Sequence, residues 1–204
     1  MKLGILGGTF DPVHRGHLLI AEEARSELGM SEVIMVPSGQ PPFKSADPVT
    51  PPKHRLEMLR LAITGLEHFW VSSVEIERPG TSYTVDTIAE FQEKFRDEGE
   101  LFFILGWDSL SQLAGWREPS RLISMCQLVV VARPDCTRPD LEKIEASVPG
   151  ITKRVLWLDK PQIDISASSI RGKVARGEAI DHLVPKLVAE YIREHGLYTK
   201  KREV

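Results

Sequence analysis

The chain has 204 residues, 42% hydrophobic and 27% charged, with a formal net charge of -3. That length suffices for one substantial core, and the slight negative charge argues against a general nucleic-acid binder, which would carry a basic surface. The two cysteines, Cys126 and Cys136, are too few for a disulfide framework; with no secretory signal and no apolar run near the ~20 residues that span a membrane, reduced thiols and a cytoplasmic location are expected.

In chain order, strand-like apolar runs alternate with helix-like ones. Leu3 to Gly7 suits a buried strand. Gly16 to Leu28 is amphipathic and ends at Gly29, a good C-cap. Glu32 to Val36 is a second strand. Pro37 to Pro52 is rich in proline and polar residues and reads as a mobile loop that should become more ordered with substrate. Helical spacing returns from Arg55 to Gly65, and Trp70 to Ser73 is a third strand. Thr84 to Phe95 is helical, and Leu101 to Leu105 is a continuous apolar strand ending at Gly106. A short helical region follows. A fifth strand runs from Leu128 to Ala132 and ends at Arg133-Pro134, and Arg154 to Leu158 is a weaker one. The last helices run from Ser168 to Arg176 and from Leu183 to His195.

Apolar strands alternating with helices predict an α/β fold with a parallel sheet covered on both faces. Ligands of such sheets bind at the carboxyl ends of strands, near the switch in strand order. Gly7-Gly8, Gly106-Trp107-Asp108 and Arg133-Pro134 all stand at predicted strand ends and should converge there. Two common nucleotide readings fall. A dinucleotide fingerprint needs G-x-G-x-x-G and an acidic residue ending the second strand. Here the glycines are Gly4, Gly7 and Gly8, and the second strand ends Met35-Val36-Pro37-Ser38; the Walker lysine pattern is absent too.

The first seventeen residues carry the strongest chemistry. Gly7 and Gly8 are expected to turn the backbone sharply and let a ligand approach. Asp11 is expected to cap a helix with Pro12 at its first position. His14 and His17 then share one face of its first turns, with Gly16 leaving room for a flat ligand. A helix N-terminus attracts anions, and two imidazoles there make a phosphate site. A zinc site is the rival for two histidines at this spacing, but no nearby Cys, His or Glu completes a ligand set.

This segment resembles the G-x-F-D-P-x-H-x-G-H signature of the nucleotidyltransferase superfamily that carries the H-x-G-H motif: Gly8, Phe10, Asp11, Pro12, His14, Gly16 and His17 fill its positions. Asp164-Ile165-Ser166-Ala167-Ser168-Ser169-Ile170-Arg171 resembles the I-S-S-T-x-I-R motif, departing at Ala167 and Ser168. Read from the residues, Ser166 caps a helix and Arg171 reaches back to an anion. Gly106-Trp107-Asp108-Ser109-Leu110 followed by Trp116-Arg117, Ser82-Tyr83-Thr84, Arg133-Pro134 and Gly196-Leu197-Tyr198 are similar to segments of the nicotinate-nucleotide adenylyltransferase family. Pro41-Pro42-Phe43-Lys44 is close to that family's P-P-H-K loop, with Phe43 where histidine is usual.

The resemblance spans nearly the whole chain. It implies a Rossmann-like sheet in a single domain, 1–204, with a small C-terminal helical appendage from about 160 onward. It implies adenylyl transfer from ATP to nicotinate mononucleotide, with His14, His17 and Arg171 catalytic. ATP is expected on Gly7, Gly8, Thr9, Phe10, Gly16, Gly106, Asp108, Arg133, Ile165, Ser166 and Ser168 besides those three. Nicotinate mononucleotide is expected on Lys44, Thr84, Asp108, Trp116 and Arg117. Mg²⁺ is expected mainly on the ATP phosphates, with no protein metal site. No nucleic-acid or membrane partner is expected, and a homo-oligomer stays open. Two rivals remain: another transferase of the superfamily, such as one acting on phosphopantetheine or using CTP, and a non-catalytic nucleotide-binding protein.

Overall fold

The computed structural model of the chain describes residues 1–41, 48–96, 99–132, 137–160 and 163–199. Its first strand, β1 (Lys2–Gly8), buries Leu3, Ile5 and Leu6 between two neighbours. The others are β2 (Glu32–Pro37), β3 (Phe69–Val71), β4 (Glu100–Gly106), β5 (Gln127–Val131) and β6 (Val155–Leu158). All pair in parallel, in the order β3-β2-β1-β4-β5-β6. This is the doubly wound order. The order in which strands are added reverses between β1 and β4, which opens a crevice at their carboxyl ends.

Helices cover both faces: α1 (Arg15–Leu28), α2 (Pro52–Ala62), α3 (Val74–Glu77), α4 (Thr84–Lys94), α5 (Trp107–Ser111), α6 (Pro119–Met125), α7 (Leu141–Ser147), α8 (Ala167–Ala175) and α9 (Lys186–Glu194). Side chains of a strand alternate between faces, so the core divides in two. Leu6, Val33, Met35, Ile104 and Val129 meet Ala21 and Ala24 of α1, Met58 and Leu59 of α2, Ile170 of α8, and Val188 and Ile192 of α9. Leu3, Ile5, Val36, Phe103 and Leu128 meet Val85, Ile88 and Phe91 of α4, with Leu122 of α6 and Ile144 of α7. The C-terminal helices thus dock on the α1–α2 side. Among the described residues no helix is long and apolar enough to cross a membrane.

Several local expectations are corrected. Asp11 and Pro12 do not open a helix. Their peptide bond is cis, α1 begins at Arg15, and His14 is its N-cap. Gly7 and Gly8 do not form the turn; both lie in β1, and the left-handed residue is Phe10, at φ 51°. The helix expected from Arg55 begins at Pro52, because proline is pre-organised for a first turn. Pro37 belongs to β2. The helices α3 and α7 were not expected.

Candidate active site

A cleft of about 590 Å³ opens at the carboxyl ends of β1 and β4. Its β1 wall is Gly7, Gly8 and Thr9. The two glycines provide closeness here. A Cβ at Gly8 would stand 3.2 Å from the Phe10 ring, and one at Gly7 would stand 3.4 Å from Phe103. The buried Phe10 ring in turn meets His17 edge-on, 4.9 Å between centroids.

His17 lines the cleft, whereas His14 is buried and outside the lining. The two rings stack at 3.6 Å between centroids, 20° from parallel. The His14 backbone N–H donates to His17 Nδ1 at 3.2 Å. A nitrogen that accepts carries no proton, so the neutral His17 ring holds its hydrogen on Nε2 and can donate it to an anion. Gly16 makes this stack fit. A methyl there would stand 2.9 Å from His14 Nδ1 and 3.0 Å from Ile163 Cγ2. Its missing side chain admits the His14 ring and the segment leading into α8, a different reason from the expected room for a ligand.

That segment delivers the second motif. Ser166 caps α8, accepting from the Ser169 N–H at 3.2 Å. From the first turns of α8, Arg171 donates to the Asp11 carbonyl at 2.8 Å, across 160 residues of sequence. Asp11 is not a helix cap. Its carboxylate accepts from the Tyr198 hydroxyl at 2.6 Å and from the Thr50 N–H at 3.1 Å. Burial and the neighbouring carboxylate push the Tyr198 hydroxyl pKa well up, so it stays protonated and donates.

Behind Thr9 lies Arg55, only 1% exposed. Its guanidinium donates to the carbonyls of Thr9 (2.7 Å), Ser38 (2.7 Å), Gly39 (3.3 Å) and Thr50 (2.8 Å). Burial lowers its pKa, with Asp11, Tyr198 and Glu75 acting the other way. Ser82 fastens the same loop from the opposite side: its hydroxyl accepts from Gly39 N at 3.0 Å and Gln40 N at 3.2 Å. The described ends of the connection expected to be mobile are hydrogen-bonded to the fold at Gly39, Gln40 and Thr50, and its middle, 42–47, lies outside the described residues.

The opposite wall is built differently. Thr84 opens α4 and lines the cleft with Val85 and Tyr83. The first N–H groups of a helix lack intrahelical partners and favour an anion. Trp116 lines the cleft half-buried, edge-on to Phe103 at 6.1 Å. Arg117, its side chain 50% exposed, lies over the Tyr83 ring at 4.7 Å and faces Asp86 at 3.8 Å. Gly106 and Asp108 complete the wall at the end of β4. Glu75, 8% exposed, lines the cleft floor, where it accepts from the Thr87 hydroxyl at 2.7 Å; burial raises its pKa.

The model of the cytidylyltransferase-like family matches residues 5–173. A probable nicotinate-nucleotide adenylyltransferase of Dehalococcoides mccartyi is 44% identical over 201 residues, 98% of each chain. A protein of the same name from Thermomicrobium roseum is 47% identical over 197 residues, 97% of this chain and 91% of the relative. The chain belongs to the nicotinate-nucleotide adenylyltransferase family. The fold agrees. A solved structure of Plasmodium falciparum nicotinic acid mononucleotide adenylyltransferase complexed with NaAD matches at a TM-score of 0.78 and 19% identity over 97% of each chain. The same enzyme complexed with APC matches at 0.76, also at 19% identity, over 97% of this chain and 96% of that one.

Of the residues the family resemblance singled out, the cleft gathers Gly7, Gly8, Thr9, His17, Thr84, Gly106, Asp108, Trp116 and Arg117. Phe10, His14 and Gly16 are buried behind that wall. Ile165, Ser166, Ser168 and Arg171 lie outside the lining, and Arg171 bonds the Asp11 carbonyl two residues beyond Thr9. Lys44 and Arg133 lie outside the described residues. Arg55 and Glu75 were missed, and Tyr198 was matched without a role. Arg55 had a signal: it stands at i in the i, i+3, i+4, i+7 stripe with Met58, Leu59 and Ala62, a charge on the buried face of α2.

Proposed function

We propose that the protein transfers the adenylyl group of ATP to nicotinate mononucleotide, a step of NAD biosynthesis that yields nicotinate adenine dinucleotide and pyrophosphate. The observation that carries this is a single cleft with two unlike walls. One holds His17 and the β1–α1 backbone; the other presents the N-terminus of α4 beside Trp116. The names of the family's curated members support the same reaction.

In this reading a 5′-phosphate oxygen of the mononucleotide attacks the α-phosphorus of ATP in line. The bond to the β-phosphate bridging oxygen breaks, and pyrophosphate leaves. The substrate brings its own nucleophile, so the protein positions the reactants and stabilises charge. His17 donates from Nε2 to the phosphates beside the Thr9–Phe10 backbone. His14 acts through the stack that sets the His17 ring. Arg171 adds positive charge and fixes the Asp11 carbonyl. On the other wall, the α4 amides at Thr84 and Val85 take the nicotinate carboxylate, and Trp116 stacks on the ring.

Magnesium suits a site where it arrives on the phosphates. Both Asp11 carboxylate oxygens are engaged, and among the described residues no group of three or more His, Cys, Asp or Glu is placed to hold a metal. Bound there, it would neutralise phosphate charge. A cytoplasmic location goes with this reading, and Cys126, buried with its thiol pKa pushed up to about 12, suits it as an inert core thiol.

The test is pyrophosphate release and product analysis with ATP, magnesium and a panel of acceptors: nicotinate mononucleotide, nicotinamide mononucleotide, phosphopantetheine and none. Release should require a pyridine mononucleotide. A preference for phosphopantetheine, or for CTP over ATP, would assign another transferase, and no turnover with any acceptor would leave a binding protein.

A further inference from the structure

We infer that Arg55 is a positioning residue for the phosphate site: it turns the Thr9–Phe10 peptide so that its N–H faces the crevice between β1 and β4. The role rests on the adenylyl-transfer reading for its use in catalysis, though not for its geometry.

A fully buried guanidinium is an expensive way to fill a core position. Desolvating the charge costs more than an apolar side chain would. Arg55 also occupies the apolar stripe of α2, beside Met58 and Leu59, where a leucine or methionine would pack. What the guanidinium adds is geometry. Five N–H donors in one rigid plane can fix several carbonyls at once. Here they fix the carbonyl of Thr9 after β1, those of Ser38 and Gly39 after β2, and that of Thr50 before α2. The Asp11 carboxylate faces it and offsets part of the cost of that burial.

The peptide plane carries the consequence into the cleft. In a trans peptide the C=O and N–H point in opposite directions, and Asp11-Pro12 is the cis bond among the described residues, so Gly8-Thr9 and Thr9-Phe10 are trans. The Gly8 carbonyl accepts from Ser38 N–H at 2.9 Å, on the β2 side. The Thr9 carbonyl accepts from Arg55 at 2.7 Å, also away from the cleft. Both N–H groups, of Thr9 and of Phe10, are thereby sent the other way. On that side β1 pairs with β4 only as far as Leu6, opposite Ile104, so beyond it the sheet gives way to the crevice. Phe10 is held in the left-handed region, where a free chain would seldom leave it. Without the guanidinium, the Thr9 carbonyl would be a half-buried acceptor lacking its donor, and the peptide would gain by rotating.

Two variants and one probe, magnesium pyrophosphate, test this. In ¹⁵N-labelled wild-type protein the probe should shift the Phe10 amide resonance. Arg55→Lys keeps a charge but loses the planar fork. The folded variant should lose that shift, bind pyrophosphate about tenfold more weakly and turn over about tenfold more slowly, with KM for nicotinate mononucleotide close to wild type. A merely structural arginine would lower thermal stability and leave the Phe10 response and the turnover per folded molecule unchanged; that result overturns the inference. The second variant replaces Phe10 by phenyllactate, which makes the Thr9–Phe10 link an ester. It keeps Arg55, removes the N–H and leaves the Thr9 carbonyl as a weaker ester acceptor, so it tests whether the Phe10 amide serves the phosphate site even if Arg55→Lys fails to fold. About tenfold weaker pyrophosphate binding supports the inference, and unchanged binding overturns it. Wild-type protein that binds the probe through Phe10 but makes no dinucleotide would refute adenylyl transfer and leave Arg55 its role. Wild-type protein that makes dinucleotide with an unmoved Phe10 amide would refute the role alone.

Discussion

The two walls of the cleft differ in how they are held. The proposed phosphate wall is set by groups drawn from across the chain: fully buried Arg55 from α2, half-buried Arg171 from α8 and Tyr198 beyond α9, and a histidine stack that leaves no room for a methyl at Gly16. The proposed pyridine wall is set by partly exposed side chains on neighbouring elements. Arg117 is 50% exposed, and Gly115 beside Trp116 has open space where a Cβ would go. A wall fixed by hydrogen bonds between distant parts of the chain is pre-organised for developing charge and should control rate. A wall of adaptable surface contacts should control which substrate is kept.

The largest expected effect is at His17. Replacing it by alanine removes the cleft donor that the proposed reaction sets on the phosphates and should lower kcat by about 10²-fold. KM for nicotinate mononucleotide should hardly move. Near-normal turnover in a folded His17→Ala protein would break the contrast on its rigid side.

Two glycines sharpen the contrast through packing. Gly16→Ala drives a methyl against His14 and Ile163 and should cost about 1–3 kcal/mol of stability, with a loss of kcat. Gly115→Ala meets nothing within 4 Å and should stay within about 0.5 kcal/mol of wild type. Thermal unfolding of both checks this, and equal losses would erase the difference between the walls.

On the pyridine side, the α4 amides can only donate. A carboxylate accepts; an amide NH₂ would meet them donor to donor, which costs about 1–3 kcal/mol. Nicotinate mononucleotide should therefore be used about tenfold better than nicotinamide mononucleotide or more. Trp116→Ala should raise KM for both and keep the preference, because stacking does not read the group that differs. Equal kcat/KM values for the two substrates would contradict this wall.

The smallest effect concerns Glu75, where burial raises the carboxyl pKa above the ordinary 4.5. As pH rises past that ordinary value, the unfolded chain loses a proton that the folded protein keeps. Stability present at lower pH is then lost until the folded value is passed. Glu75→Gln cannot ionise. Its unfolding temperature relative to wild type should climb as pH rises through this window and then level off. A difference that is flat with pH would show that Glu75 titrates as in the unfolded chain.

The sheet was legible because its strands are buried on both faces and read as unbroken apolar runs between helical stretches. The helices α3 and α7, four and seven residues long, are too short to show a 3.6-residue period. The site was legible where chemistry concentrates in local motifs, as at His17, Thr84 and Trp116. It was misread where local rules compete with long-range ones. Asp11-Pro12 looks like a helix start, but Tyr198 and Thr50 claim the carboxylate. The paired glycines look like a turn, yet they lie in β1 against aromatic rings. Glu75 looks like an ordinary charge, and only the fold shows that it is buried, whereas Arg55 carried a signal in its place on the apolar stripe of α2.

The most direct measurement is a single-turnover reaction with ATP labelled in its α-phosphate, magnesium and nicotinate mononucleotide. The label should pass from ATP to nicotinate adenine dinucleotide in one phase, with unlabelled pyrophosphate released and none of the label retained on the protein. Label that stays in ATP, or that passes first onto the protein, would contradict a site that works by holding two substrates in line.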